Sequence, residues 1–600
     1  MVKKRLKALR SAMKEAGIHC YIIPTSDFHN SEYVSEHFMV RKYFSGFSGS
    51  AGTLVVQEEK AALFTDGRYF IQAEKELEGS DIVLMKIGEP EVPTLTEYVE
   101  RELKEGGTIG FDGRVMTAGD GTVFEEIAAR KGGNLIWNRD LADNIWTDRP
   151  ALPATQVYVL QKEYSGESMA DKLMRLRTAM EKEKCDTHVL TTLDDIAWLF
   201  NLRANDVESC PVFLSYAIIT HTETILFAGE SAFDETVRSY LEENGVVLKS
   251  YESFYDNVRR LISEGGLGKL LLCESRISYR LKKELEGVAI LDRQNPTSFM
   301  KSVKNETEQK NIRKAHLMDG IAVTKFMYWL KKNVGKIPMD ELSAAAYLEE
   351  LRAENKSFLE PSFSTICAYG ANGAIIHYSA TKEQFAEIKP EGMLMVDSGG
   401  HYYEGSTDIT RTFVLGEITE EMKAHFTLVV KAMLRLRNAK FLYGAKGINL
   451  DILAREALWE QGLDYKHGTG HGVGYLLSVH EGPNSFRFRQ VPGNGDDWCF
   501  EEGMVTSDEP GIYIEGSHGI RIENELLCRK GEKNGYGQFM YFENLTYVPI
   551  DLDGIDTSFM EDRDIDRLNA YHREVYEKLS PYFENELLAW LKEVTRKIGK

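Results

Sequence analysis

At 600 residues the chain is too long for a single hydrophobic core, and its 43% apolar and 28% charged residues are those of an ordinary soluble globular protein. A net charge of -21 speaks against nucleic acid as a partner, because phosphate binding needs a basic face and none is visible. No apolar run approaches the ~18 residues of a membrane span, so no membrane partner is expected either.

The chain opens MVKKRLKALRSAMKEAG, basic like a signal peptide but without its apolar segment. Leu6, Leu9, Met13 and Ala16 recur at helical spacing and predict an amphipathic first helix. LRSAMKEAGIHCYIIPTSDF, from Leu9, has a faint echo in LRTAMEKEKCDTHVLTTLDDI, from Leu176. Each joins a helix to a short β-rich run, and each is followed by a strand pair, TLVV…AALF (53–64) and YAIIT…TILF (216–227). Two similar α/β domains in tandem are expected, over 1–155 and 156–303, with the proline-bearing DRPALPATQ (148–156) as linker.

KSVKNETEQKNIRKAH starts a helix whose apolar stripe runs through Met318, Ile321, Val323 and Phe326. From 304 to 600, strands such as GMLMVDSG and GIRIENELL alternate with long helices, and ENELLAWLKEVTRKIG ends the chain as one more amphipathic helix. The seven cysteines (20, 185, 210, 273, 367, 499, 528) are scattered, with no CxxC pair, and read as reduced thiols of a cytoplasmic protein.

Seven of the fourteen histidines lie between His377 and His518, and four carboxylates stand among them in suggestive settings. In MLMVDSGGHYYEGSTDITRTF a buried strand delivers Asp397, and a hairpin turning near His401–Tyr403 would set Asp408 opposite it. In DEPGIYIEGSHGIRIENE, Glu509 and Glu523 are symmetric about Gly516, the centre of a second hairpin. Alternation there puts Arg521, Glu523 and Glu525 on one face and Ile520 and Ile522 on the other. Between the hairpins lies HGTGHGVG (467–474), which has glycine at every second position from Gly468 and cannot be a helix.

Singly these features are bland: a strand-end Asp is usually a turn residue, DEPG can be only a turn, and His377 and His480 would pass for partly buried polar residues. Together they make a metal site. Carboxylates with one imidazole suit Mn²⁺, Zn²⁺ or Co²⁺. Four carboxylates exceed the needs of one ion, and two bridged ions ~3.5–4 Å apart, activating a shared water for hydrolysis, are the natural solution.

These residues resemble the M24 metallopeptidases, whose fold is the pita-bread fold: D-x10-D, HGTGHGVG, VHEGP, DEPG and GIRIE occur in the family's order. SGFSGSAGT (45–53), FTDGRYF (64–70), NIWTDRP (144–150), DDIAWLFNLR (194–203), DVESCPVFLSYAIIT (206–220) and NGAIIHY (372–378) extend the likeness over the whole chain, to the long three-domain Xaa-Pro aminopeptidase branch. The resemblance implies Asp397, Asp408, His471, Glu509 and Glu523 as ligands of two divalent ions, usually Mn²⁺. Asp408 and Glu523 would bridge them, Asp397 holding one ion and His471 with Glu509 the other. It places His377, His467 and His480 along the substrate site and gives Tyr513 and Arg521 supporting or substrate-contacting roles.

The implied reaction is hydrolysis of the first bond of peptides with proline second, by a hydroxide shared between the ions. His377 and His480 would support the developing charge and Glu509 would shuttle the proton. The domain over 304–600 would be catalytic and homodimeric, and the first two accessory, helping to limit peptide length. The neighbouring readings are a prolidase, a methionine aminopeptidase, a metal-free creatinase-like hydrolase and a non-catalytic pita-bread binding scaffold. The doubled N-terminal half, VHEGP and the complete set of ligand positions favour the first reading.

Overall fold

The computed structural model describes residues 1–489 and 498–600. They form two compact units, residues 1–160 with 167–297, and residues 161–166 with 298–600.

The first unit opens with the helix Val2–Ala16, whose Leu6, Leu9 and Met13 are buried; Gly17, at φ 69, ends it in a conformation that glycine adopts without strain. Two six-stranded sheets follow, and they share one strand order. Across the first run Val83–Lys86, Ala61–Thr65, Thr53–Gln57, Cys20–Pro24, Thr108–Gly110 and Asn134–Ile136. Across the second run Val246–Ser250, Thr224–Ala228, Ser215–Thr220, Thr187–Leu190, Leu270–Leu272 and Ile290–Asp292. In both, the central three strands are antiparallel and the outer pairings parallel. The faint echo in the sequence is thus a repeat of topology. AALFT (61–65) and TILFA (224–228) are buried along their whole length, as strands covered on both faces must be. The halves meet where Tyr279 packs edge-on against Phe111, and a Cβ on Gly121 would fall 2.2 Å from that tyrosine ring.

In the second unit the long helix Glu306–Asn333 starts at Asn305, whose side chain closes a capping box with Glu308. The charged stretch is therefore not one helix: Lys301 and Ser302 end a separate short helix, Pro296–Ser302, and Asn305 opens the next. The buried face of the long helix holds Val323 and Phe326 as expected, but also His316 and Asp319, while Met318 and Ile321 are only half-buried.

Two hairpins carry the carboxylates. In the first, Met393–Ser398 pairs with Ile409–Val414, Asp397 facing Thr410 and Ser398 facing Ile409. The turn is at Tyr403–Glu404, because Tyr402 faces Gly405. Asp408 is accordingly not opposite Asp397; the register is offset, and the two share a face diagonally. On the way the chain leaves one three-stranded sheet (Ile366–Tyr369, Met393–Ser398, Ile409–Val414) for another (Phe358–Pro361, Gly400–Tyr402, Gly405–Ser406). In the second hairpin Gly511 faces Arg521 and Asp508 faces Asn524, which puts Glu509 across from Glu523, as their symmetry about Gly516 predicts. GIRIENELL is not continuous: one strand ends at Arg521, the next starts at Asn524, and Glu523 occupies the break. Ile520 and Ile522 pack into the unit's larger core with Phe426, Val430 and Leu434 of the helix Glu420–Arg437.

Candidate metal centre

Strand ends aim the donors. Asp397 lies near the end of its strand, Asp408 just before one, Glu509 just after Val505–Asp508, and Glu523 in the break described above. His471 ends the short strand Gly470–His471, and its amide donates to Ser507 Oγ at 3.0 Å. The glycines beside it are required by close approach of the backbone to other parts of the protein. A Cβ on Gly470 would lie 1.8 Å from the Ser507 carbonyl oxygen, and one on Gly472 would lie 2.1 Å from that of Glu481.

The ligand-type atoms of Asp408, His471 and Glu523 lie within 4.8 Å of one another. His471 Nε2 is 3.5 Å from Asp408 Oδ2 and 3.4 Å from Glu509 Oε1. Its Nδ1 is bonded to the Gly472 carbonyl at 2.9 Å, which turns Nε2 to the carboxylates, the usual support of a ligating imidazole. Asp397 is gripped through Oδ2 by Arg521 Nη2 at 2.6 Å, while its Oδ1 is buried with no hydrogen-bond partner. Thr410 joins the hairpins, since its hydroxyl donates to Glu523 Oε2 at 2.8 Å and its carbonyl accepts from the Glu523 amide at 3.0 Å.

Electrostatics mark this as a site short of positive charge. Burial raises the Asp408 carboxyl to about 6, with Asp397 and Glu509 adding repulsion against the pull of His471. Burial also pushes Glu523 well above the usual carboxylate range, with Asp408, Glu509 and Asp397 adding to it. Burial alone would lower His471, but Asp408 and Glu509 outweigh it and lift the imidazole to about 9. One orphaned carboxylate oxygen, a carboxylate–imidazole cluster and strained protonation equilibria are what divalent cations would relieve, and the all-oxygen-and-nitrogen donor set fits hard or borderline ions.

The expected substrate residues are brought to the same place. His467 Nε2 is 2.9 Å from the Tyr513 hydroxyl, which accepts from Arg521 Nη1 at 2.7 Å, so a chain of contacts runs from His467 to Asp397. Burial lifts the Tyr513 hydroxyl to about 12 despite Arg521. The His480 ring stands 4.3 Å from that of His471, edge to face. Its neighbour Glu481 is buried between Lys301 Nζ at 3.0 Å and Lys304 Nζ at 2.5 Å, which anchors the VHEGP turn. His377 is half-buried, next to Ile376, whose carbonyl accepts from Arg521 Nη2 at 3.3 Å. Glu525 is drawn elsewhere, its Oε2 lying 3.0 Å from His316 Nε2.

Residue patterns left Thr410, Thr412 and Arg411 unnoticed. Thr412 Oγ1 donates to the Arg521 carbonyl at 3.0 Å, and Arg411 Nη1 donates to the Glu523 carbonyl at 2.5 Å. A signal was available: Asp408, Thr410 and Thr412 alternate, so one face of that strand carries polar groups where a buried strand should be apolar.

A mixed α/β unit ending in carboxylate hairpins that converge on an imidazole defines a metallohydrolase of pita-bread architecture. Residues 310–530 match the metallopeptidase family M24 and residues 538–598 its C-terminal region. Residues 5–134 and 148–308 each match the creatinase/prolidase N-terminal domain. The chain is 40% identical to a probable Xaa-Pro aminopeptidase P of Botryotinia fuckeliana, over 98% of this chain and 92% of that protein. It is 38% identical to aminopeptidase P2 of Arabidopsis thaliana, over 100% of this chain and 89% of that one. Its fold matches the crystal structure of X-prolyl aminopeptidase from Caenorhabditis elegans, described as a cytosolic enzyme with a di-nuclear active site, at TM-score 0.95 and 32% identity over 100% of both chains. The protein belongs to metallopeptidase family M24.

Proposed function

We propose that the protein is a two-metal Xaa-Pro aminopeptidase, releasing the first residue of peptides whose second residue is proline. The observation that carries the reading is full-length correspondence. Relatives named for this activity match over nearly the whole length, with little of either chain left over. The N-terminal domain type is shared with prolidases, so the length of the match and not the type of domain favours the aminopeptidase.

In this reading Asp397, Asp408, His471, Glu509 and Glu523 hold two divalent ions, Mn²⁺ by preference. Bound there, divalent ions would supply Lewis acidity, acidifying the attacking water and polarising the scissile carbonyl. The chain's own residues do the rest. Arg521 fixes Asp397 through one oxygen and leaves the other for an ion. His377 and His480 donate to the carbonyl oxygen as negative charge develops on it. Glu509, beside His471 and steadied by Ser507 Oγ at 3.1 Å, takes the proton of the attacking water and returns it to the departing proline nitrogen. His467 and Tyr513 orient the peptide, and the carboxylate excess favours a free amino terminus, which makes the enzyme an exopeptidase. The two N-terminal domains, whose boundaries we place at 1–155 and 156–303, restrict peptide length, and 304–600 is the catalytic domain.

We further infer a cytoplasmic homodimer. The X-prolyl aminopeptidase whose fold it matches is described as cytosolic, and among the described residues no helix is long and apolar enough to cross a membrane. Leu442, Tyr443, Ile448, Ile452 and Trp459 are exposed apolar side chains of the catalytic unit that a second copy could cover; sedimentation at monomer mass at micromolar concentration would remove the dimer.

The deciding assay releases the N-terminal residue from matched tripeptides with proline or alanine second, on chelator-stripped protein before and after Mn²⁺ is restored. Metal-dependent cleavage of the proline peptide alone is expected. Two bound ions with neither tripeptide cut, and Xaa-Pro dipeptides cut instead, would make the enzyme a prolidase.

A further inference from the structure

Beneath the metal centre lies a second buried charged cluster. Asp319, on the long helix, and Arg352, on the helix Glu341–Ala353, form an ion pair with Arg352 Nε donating to Asp319 Oδ1 at 2.6 Å and Nη2 to Oδ2 at 3.2 Å. The Tyr402 hydroxyl also donates to Oδ1, at 3.2 Å, and the Thr407 hydroxyl to Oδ2, at 2.6 Å. Arg352 Nη2 reaches on to Ser398 Oγ at 3.1 Å. Asp319, Tyr402 and Thr407 are 0% exposed, Ser398 1% and Arg352 2%, so no water can stand in for a lost partner.

Two of the three hydroxyls this cluster holds, those of Thr407 and Ser398, have a special place. Thr407 immediately precedes Asp408, and Ser398 immediately follows Asp397. Between them the hairpin crosses from one sheet to the other, so closely that a Cβ on Gly399 would lie 1.8 Å from the Thr407 carbonyl oxygen. Thr407 Oγ1 also accepts the Gly400 amide at 2.9 Å, tying one strand to the other. A buried ion pair seldom improves on well-packed apolar residues in stability, so what it grips is the informative feature. Every oxygen of Asp319 already has donors, which excludes it as an ion ligand and makes it a clamp on the neighbours of two.

We propose that Asp319 and Arg352 are positioning residues, which act through Thr407 and Ser398 to preset the Asp408 and Asp397 carboxylates and so govern the site's affinity for divalent ions. The proposal rests on those aspartates being ligands, as argued above. Outer groups that orient ligands typically govern affinity by roughly 10–100-fold.

The test titrates chelator-stripped, full-length protein with Mn²⁺ by calorimetry and records the absorption spectrum of the Co²⁺-loaded form. Thr407→Val keeps the side chain's shape and loses the donor; it should weaken Mn²⁺ by roughly 10–100-fold and shift the Co²⁺ bands. Thr407→Ser keeps the hydroxyl and should restore both. Ser398→Ala should weaken binding less, since Asp397 keeps its clasp on Arg521. A Thr407→Val protein that melts lower but binds Mn²⁺ as the wild type does would show the cluster to be structural only and overturn the proposal. Asp319→Asn probes the ion pair itself, and if it fails to fold the threonine variants still decide. Wild-type protein that binds no Mn²⁺ would instead remove the metal-centre reading, and this inference with it.

Discussion

Two buried aspartate–arginine pairs in the second unit behave differently. Asp319 meets Arg352, and both its oxygens are saturated by donors. Asp397 meets Arg521 through one oxygen, leaves the other without a partner, and faces further carboxylates. The first pair is closed and the second is open. A buried carboxylate with a vacant oxygen among like charges is poorly solvated by the protein itself, and that deficit is the physical mark of a site built for an added cation.

Breaking the open cluster should have the largest effect. Glu523→Ala removes one of the five proposed ligands, and ion loading and turnover should both fall to background, measured by metal analysis and peptide hydrolysis. Wild-type activity in that variant would end the two-ion assignment.

Stability should separate the pairs next. In metal-free protein Asp319→Asn should cost roughly 3–5 kcal/mol, because Arg352 is left as an uncompensated buried charge. Asp408→Asn, which relieves crowding among carboxylates, should leave metal-free stability unchanged or higher. Denaturant melts of the two stripped variants check this, and equal losses would erase the distinction between closed and open clusters.

The pH dependence sharpens it further. Asp408, at about 6 rather than 3.8, holds its proton more tightly in the folded metal-free chain than in the unfolded one, so its ionisation weakens the fold as pH rises from about 4 through 6. The His471 imidazolium, raised from 6.5 to about 9, contributes stability that is complete below 6.5 and lost as pH rises through 9. Metal loading runs the other way, since ions must displace these protons. Apparent Mn²⁺ affinity should therefore rise between pH 6 and 9 while the metal-free melting temperature falls. An affinity flat across that range would contradict the crowded-carboxylate picture.

The smallest effects belong to the chain of contacts leading to Asp397. His467→Ala should keep both ions and lower kcat/KM by roughly 10–100-fold, and Tyr513→Phe by about tenfold or less, in line with the loss of one or two buried hydrogen bonds. Loss of an ion in His467→Ala would mean that His467 and His471 have their roles reversed.

What the sequence by itself determined was periodic or local. Helical spacing marked Leu6, Leu9 and Met13, the echo between residues 9 and 176 marked two sheets of one topology, and equal spacing about Gly516 set Glu509 across from Glu523. These are properties of neighbours along the chain, and a repeat of 2 or 3.6 residues reports them. The tertiary structure alone decided the offset in the first hairpin, because the turn at Tyr403–Glu404 is fixed by pairing and not by the symmetry of two aspartates. It alone interrupted GIRIENELL at Glu523, where Thr410 from the other hairpin takes over the hydrogen bonds. It also decided which aspartate is a clamp and which is open. Asp319 sits on a helix stripe that reads as apolar, and its partners Arg352, Tyr402 and Thr407 lie 33 to 88 residues away. A carboxylate's role is set by what fills its lone pairs, and those partners arrive through folding, from parts of the chain that no local period connects.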